Sequence, residues 1–295
     1  MSDDRSNDEV MRKSLKPDPS NDHVIQAICK TYNQDPSNVK IEKELESYDD
    51  RNYLVRLGES KFLCKVYNGV ESAKYIRCSQ DAAATGDSAA DTSDTKSLSS
   101  IHLYSQIWNH LNQPKYRIKT SSPVPLPGHT ATTTSPHVSV HSLPVTSKDH
   151  SPCDLVLQLL EWVEGTTMST AASLPIETLV QTGTYLGRVC IALDDLLSSD
   201  ETGTALKTSD RYHAWDGKNT LDLQNFVHCI SNLERRALVQ NVIESFRREF
   251  VNAAAGDKPD FRKGILQGDF NDANIILDEK GDVSGVIDFG DTVYR

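Results

Sequence analysis

The chain's 295 residues carry 31 Lys and Arg against 42 Asp and Glu, a formal charge of −11 at pH 7. That length can bury an ordinary core as one two-lobed unit or two modest domains, and an acidic balance without a basic stripe argues against a nucleic-acid or anionic-membrane partner. The cysteines Cys29, Cys64, Cys78, Cys153, Cys190 and Cys229 form no C-x-x-C pair, and neither a membrane-length apolar run nor an N-terminal secretion signal is present, so the expectation is a cytoplasmic protein with reduced thiols.

Residues 1–14 are charged and aperiodic, which predicts a disordered tail. Ser20 or Asn21 can cap a short helix with Val24, Ile25 and Ile28 on one face, ending near Tyr32–Asn33. Val39–Leu45, Tyr53–Leu57 and Lys61–Tyr67 read as strands of a small antiparallel sheet, with a turn at Gly58–Ser60. From Ser79 to Ser100 the composition falls to Ala, Asp, Ser, Thr and Gly, too poor in apolar groups to offset the entropy of ordering it, which predicts a flexible insertion. A helix is expected over Ile101–Leu111, then a second flexible insertion, rich in Ser, Thr, Pro and His, over 120–152. Leu155–Val163 reads as a buried strand. Helices follow over Pro175–Leu197, with Ser173 as a possible cap and Leu179, Leu186, Cys190, Leu193 and Leu197 on one stripe, and over Leu233–Phe250.

The chemistry sits in the last thirty or so residues. Gly268-Asp269-Phe270-Asn271-Asp272-Ala273-Asn274 precedes an expected hairpin, strand Ile275–Leu277, turn Asp278–Asp282 and strand Val283–Ile287, and Asp288-Phe289-Gly290-Asp291 follows directly. Phosphoryl transfer to a hydroxyl needs a carboxylate beside the acceptor and oxygen ligands for magnesium. Asp269 and Asn274 share one loop, and the hairpin returns Asp288 to Asn274, so the three can converge on one metal–phosphate centre. An Asp or Asn alone in a loop is an ordinary turn residue; the joint pattern carries the argument.

Gly268-Asp269-x4-Asn274 with Val286-Ile287-Asp288-Phe289-Gly290-Asp291 resembles the aminoglycoside phosphotransferase and choline kinase superfamily. Within it, Ser47–Tyr53, Phe62–Val66 and Gly268–Ile275 are most similar to the hydroxylysine kinase branch. The resemblance implies an α+β, protein-kinase-like fold of two lobes: residues 15–160 as an antiparallel-sheet lobe with the insertions near 79–100 and 120–152, and residues 161–295 as a hinge and helical lobe. It implies Asp269 as the catalytic base or orienter, Asn274 and Asp288 as Mg2+ ligands, and Lys65 on the nucleotide phosphates. The turn Asp49, Asp50, Arg51 and Asn52 would lie over those phosphates, and Glu161, Trp162 and Val163 would form the hinge that meets the purine. The implied reaction is transfer from GTP or ATP to the hydroxyl of a small amine, with 5-hydroxy-L-lysine as acceptor and GTP as expected donor.

Three departures from the family pattern stand out. Gln267 occupies the place of a usual His, though its amide can still donate and accept hydrogen bonds. Ile101-His102-Leu103 stands where a helix usually offers Glu to the phosphate-binding lysine, so Lys65 lacks its expected partner unless an inserted segment supplies another acid. The family continues through further helices, whereas the sequence ends at Arg295, so the helical lobe is expected to be incomplete. A kinase for another small alcohol, such as choline, homoserine or an aminoglycoside, and a nucleotide-binding pseudokinase acting as an interaction module remain the alternatives.

Overall fold

The computed structural model describes residues 10–84, 98–129, 136–147, 151–198, 200–208, 216–251 and 262–294. The Ser20 hydroxyl accepts the His23 N–H and Asn33 turns left-handed at φ 52, so helix α1 (Asn21–Tyr32) is capped at both ends. Val24, Ala27, Ile28 and Tyr32 are its buried face, packed against Val55, Cys64, Val66, Leu155, Leu157 and Leu159 of a five-stranded sheet. The sheet is antiparallel in the order β1-β2-β3-β5-β4, with β1 Val39–Leu45, β2 Arg51–Leu57, β3 Ser60–Val66, β4 Val138–Leu143 and β5 Cys153–Glu161.

Strand β5 is buried along Leu155–Leu160 because it is covered on both faces. Leu155, Leu157 and Leu159 meet the α1 side, whereas Val156 packs with Tyr67 and Ile101, and Leu160 joins the core of the helical lobe. Helices α2 (Gly69–Ala84) and α3 (Ser100–Leu111) lie on this second side, where the Ser72 hydroxyl accepts the Val156 N–H. The helical lobe contains α4 (Ile176–Leu197), α5 (Asp200–Thr208), a 3-10 stretch over Gly217–Cys229, α6 (Leu233–Phe246) and a π-helical turn over Arg247–Val251. Leu103, Ile107 and Leu111 of α3 interlock there with Tyr185, Val189 and Leu193 of α4 and with Phe289. Short strands β6 (Thr166–Thr167), β8 (Ile275–Leu277) and β9 (Val283–Val286) form one small sheet, and β7 (Ile265–Leu266) pairs with β10 (Val293–Tyr294). Among the described residues no helix is long and apolar enough to cross a membrane.

Several expectations are corrected. Residues 10–14 of the expected tail are helical, fixed by Arg12 ion pairs to Asp49 and Glu71 that lie far away in sequence; residues 1–9 lie outside the described residues. Residues 79–84 of the first expected insertion complete α2, and Ser100 starts α3, while 85–97 lie outside the described residues. The second expected insertion contains β4, a short edge strand whose Val138–Val140 alternation is hidden among Ser, Thr, Pro and His neighbours, and whose backbone hydrogen bonds come from β5. Residues ahead of β4 are also paired: Val124 N–H donates to Leu159 O and Glu161 N–H to Ser122 O. On α4 the buried residues are Thr178, Tyr185, Val189, Ala192, Leu193 and Leu196, while Leu179, Leu186 and Cys190 of the expected stripe are exposed. Neighbouring α3 selects one of two apolar faces that periodicity alone leaves equivalent. Pro175, rather than Ser173, precedes that helix at its N-cap.

Candidate active site

Strand β7 delivers the chain into the loop at Gly268, whose φ of 87 is open to glycine; an added Cβ would collide with the Asp291 carbonyl. Pairing of Leu266 with Val293 brings the two acidic segments together at this crossing. Asn271 N–H donates to Asp269 O and Asn274 N–H to Asn271 O, so the loop coils tightly. The Asn274 amide donates from Nδ2 to Asp269 Oδ2 at 2.8 Å and to Asp269 O at 2.9 Å, while Asn271 Nδ2 donates to Asp269 Oδ1 at 2.7 Å. Ile287 N–H then donates to Asn274 O at 2.9 Å, and Asp288 stands next in the chain at φ 56, a left-handed conformation that Asp tolerates.

Gln267, 5% exposed, ties the loop to the segment after the hairpin: its Nε2 donates to Asp288 O at 2.6 Å and its Oε1 accepts the Asp269 N–H at 2.7 Å. Both ends of the amide are used, so Gln here performs a two-sided bridge. Behind it Phe289 is fully buried, and Tyr104 of α3 donates its hydroxyl to Gly290 O at 2.7 Å. The place of Tyr104 on the helix face is readable from periodicity, but its partner lies 186 positions away and is not.

Lys65 lies on β3 opposite Asn52 of β2 and Gln158 of β5. Its ammonium pairs with Asp50 Oδ2 at 2.6 Å, so the acid missing from the α3 helix is supplied by the β1–β2 turn. Burial works against the lysine charge, but the Asp50 and Asp288 carboxylates outweigh it and hold the ammonium above its ordinary pKa. Asp49 is raised by burial and by Asp50 beside it, with Arg12 opposing the shift. Arg51 is held by Glu44, Asp18 and the Pro17 carbonyl. The side chains of Asp49, Asp50 and Arg51 therefore engage protein partners, and Asn52 Oδ1 is buried without a hydrogen bond. His102 on α3 stacks on Tyr75 and bonds Ser99 through Nδ1; burial lowers its pKa to about 4, so it is neutral.

The sequence profile of the phosphotransferase enzyme family matches residues 42–295. The chain belongs to that family. It is 25% identical over 290 residues to the hydroxylysine kinase of Danio rerio, covering 95% of this chain and 67% of that protein. With the hydroxylysine kinase of Mus musculus it shares 30% identity over 117 residues, 37% of this chain and 30% of the mouse protein. The matched region thus spans about two thirds of the fish relative and under one third of the mouse one. Among solved structures, a microcompartment-associated aminopropanol kinase superposes with a TM-score of 0.51 at 18% identity, over 92% of this chain and 70% of the other. Aminoglycoside phosphotransferase APH(4)-Ia superposes with a TM-score of 0.50 at 11% identity, over 94% and 73%. These likenesses give the fold: an α+β, kinase-like molecule of two lobes.

The segment Glu161–Val163 joins the sheet lobe to the helical one. Glu161 is exposed and reaches Lys119 Nζ at 3.1 Å, Trp162 is partly buried, and Val163 is 5% exposed. Val163 leans on Gly285 of β9, where a Cβ would overlap it, so the linker rests directly on the hairpin that carries Asp288. Among the described residues no three His, Cys, Asp or Glu side chains gather as a metal site. The donor set suits Mg2+, which takes few protein oxygens and keeps water and phosphate ligands: Asn274 uses only its Nδ2 in the loop hydrogen bonds, and Asp288 is exposed beside it.

Proposed function

We propose that the chain transfers the γ-phosphoryl group of a purine nucleoside triphosphate, GTP or ATP, to the hydroxyl of a small amino alcohol, with 5-hydroxy-L-lysine as acceptor and GTP as first-choice donor. The observation that carries this reading is the convergence of Asp269, Asn274 and Asp288 through the loop, the hairpin and the Gln267 bridge. The similarity to hydroxylysine kinases supports the acceptor. Mg2+ would be held by Asn274 and Asp288, and it would neutralise charge on the phosphate oxygens.

Asp269 receives the acceptor hydroxyl's proton as that oxygen bonds to the γ-phosphorus; the bond from the γ-phosphorus to the β,γ-bridging oxygen breaks and the nucleoside diphosphate leaves. The Asn274 and Asn271 amides fix both oxygens of Asp269, so its carboxylate is aimed before the acceptor arrives. Lys65 meets the phosphates. Because the side chains of Asp49, Asp50 and Arg51 hold Arg12, Lys65 and the Glu44 and Asp18 carboxylates, the turn would offer the phosphates its backbone N–H groups and Asn52. Glu161 N–H is given to Ser122 O, so the purine edge falls to Trp162 and Val163.

Calorimetric titration of GTP and ATP with Mg2+ tests the site. Asp288→Ala is expected to lower the Mg2+-dependent affinity at least about tenfold. Equal affinity in both proteins would remove Asp288 from the centre, and phosphorylation of a different alcohol in preference to 5-hydroxy-L-lysine would leave the centre standing and overturn the acceptor.

A further inference from the structure

The segment ahead of α1 reaches the nucleotide side of the cleft. The Arg12 guanidinium forks between Asp49, at 2.6 Å, and Glu71 in the first turn of α2. The Arg12 carbonyl accepts Asn68 Nδ2 at 2.6 Å. Asn68 is fully buried; the same Nδ2 donates to Asp49 O, and its backbone N–H donates to Asp50 Oδ1 at 2.7 Å. Lys16 Nζ donates to the Ser47 and Tyr48 carbonyls at 2.8 and 2.9 Å, and Arg51 Nε donates to Pro17 O at 2.9 Å. The remaining Asp50 oxygen holds Lys65. Residues 12–17 therefore grip the β1–β2 turn along Ser47–Arg51, and that turn aims the lysine.

We propose that residues 10–18 act as a strap that positions Lys65 for nucleotide: Arg12 fixes Asp49 and Asn68, these fix Asp50, and Asp50 fixes the lysine. The proposal rests on the nucleotide reading above. Three carboxylates, Asp49, Asp50 and Glu71, crowd this corner, and like charges at such range repel when no cation lies between them. Arg12 is placed between two of them and its planar fork serves both at once. With the turn held, the long lysine side chain is ordered before nucleotide arrives, which removes an entropic cost from binding. Arg12 is thus a positioning residue acting through Asp50, and the corner does the work that the family assigns to a helix-borne acid.

The test compares the full chain with Arg12→Ala, Arg12→Lys and the double variant Arg12→Ala/Glu71→Gln, the last relieving the Glu71 charge that Arg12→Ala leaves behind. Hydrogen exchange in the peptide spanning residues 45–52 should quicken roughly tenfold in Arg12→Ala, and Mg2+–nucleotide affinity should fall about tenfold. Arg12→Lys should recover only part of that affinity, since an ammonium cannot fork. The double variant should regain part of the melting temperature, since Asp49 still lacks Arg12, and not the affinity. Recovery of both would reduce Arg12 to a neutraliser of Glu71 and overturn the strap, as would unchanged exchange over residues 45–52. A wild-type chain that binds no nucleotide removes the kinase reading, and the exchange result still decides whether the strap holds the turn.

Discussion

In the loop and hairpin near the end of the chain, Gln267, Asp269, Asn274 and Asp288 are connected by hydrogen bonds that span at most 21 positions of chain. The corner around Lys65 is built differently: Arg12 reaches across 37 positions to Asp49, 56 to Asn68 and 59 to Glu71 before Asp50 meets Lys65. One side is a local loop-and-hairpin motif with neutral amides as its joints. The other is an assembly of ion pairs among distant segments, partly buried, where removing one partner leaves a charge stranded. The two groups of contacts can therefore be lost by different routes: the first by altering a loop residue, the second by loosening a segment far from it.

The largest expected effect separates the sides. Asp269→Asn keeps the side chain's size and removes the proton acceptor, so phosphoryl transfer should fall about 10²- to 10⁴-fold while nucleotide affinity holds. Initial rates and calorimetry on the same preparation check it; parallel loss of affinity would break the division, and undiminished turnover would end the assignment of Asp269. Next in size, Gln267→Ala strands the Asp269 N–H and the Asp288 carbonyl together, at a cost of about 2–4 kcal/mol in stability. Chemical denaturation gives that value, and a loss below about 1 kcal/mol would mean that the bridge is dispensable.

The smallest effect probes the sheet lobe by pH. His102 has its pKa lowered to about 4 by burial, against an ordinary 6.5. Above pH 6.5 it is neutral folded and unfolded and contributes no pH dependence; as pH falls from 6.5 toward 4 only the unfolded chain takes up the proton, so stability drops, by about 2 kcal/mol at pH 5, and levels off below 4. The His102→Gln protein should lack this slope between pH 6.5 and 4. Identical slopes in the two proteins would show that His102 titrates normally and faces water.

Much of the architecture is legible in the sequence where one short stretch holds both partners. Ser20 and Asn33 bracket α1, the alternation from Val39 to Val66 gives three strands, and the Gly268-to-Asp291 run carries loop, hairpin and acidic segment in order. Elements with partners elsewhere were misread. Strand β4 looks like a polar linker until β5 supplies its hydrogen bonds, and residues 10–14 look like a loose tail until Asp49 and Glu71 meet Arg12. The acid for Lys65 had a faint signal in the Asp49–Asp50 doublet, since a β2–β3 hairpin in register sets Asn52 opposite Lys65 and brings the preceding turn close.

The family pattern, the strand and helix periods, and the order Asp269, Asn274, Asp288 are readable along the chain, because spacing on a backbone of fixed geometry constrains what neighbours can reach. Only the tertiary structure decided which face of α4 is buried, that Gln267 bridges with both ends of its amide, and that Asp50, tethered through Asn68 and Arg12, is the counter-ion of Lys65. Those outcomes depend on which charges and apolar surfaces share one desolvated corner. Burial makes each unmatched group costly, so the pairing is selected by the whole packed arrangement and is not encoded in any one segment.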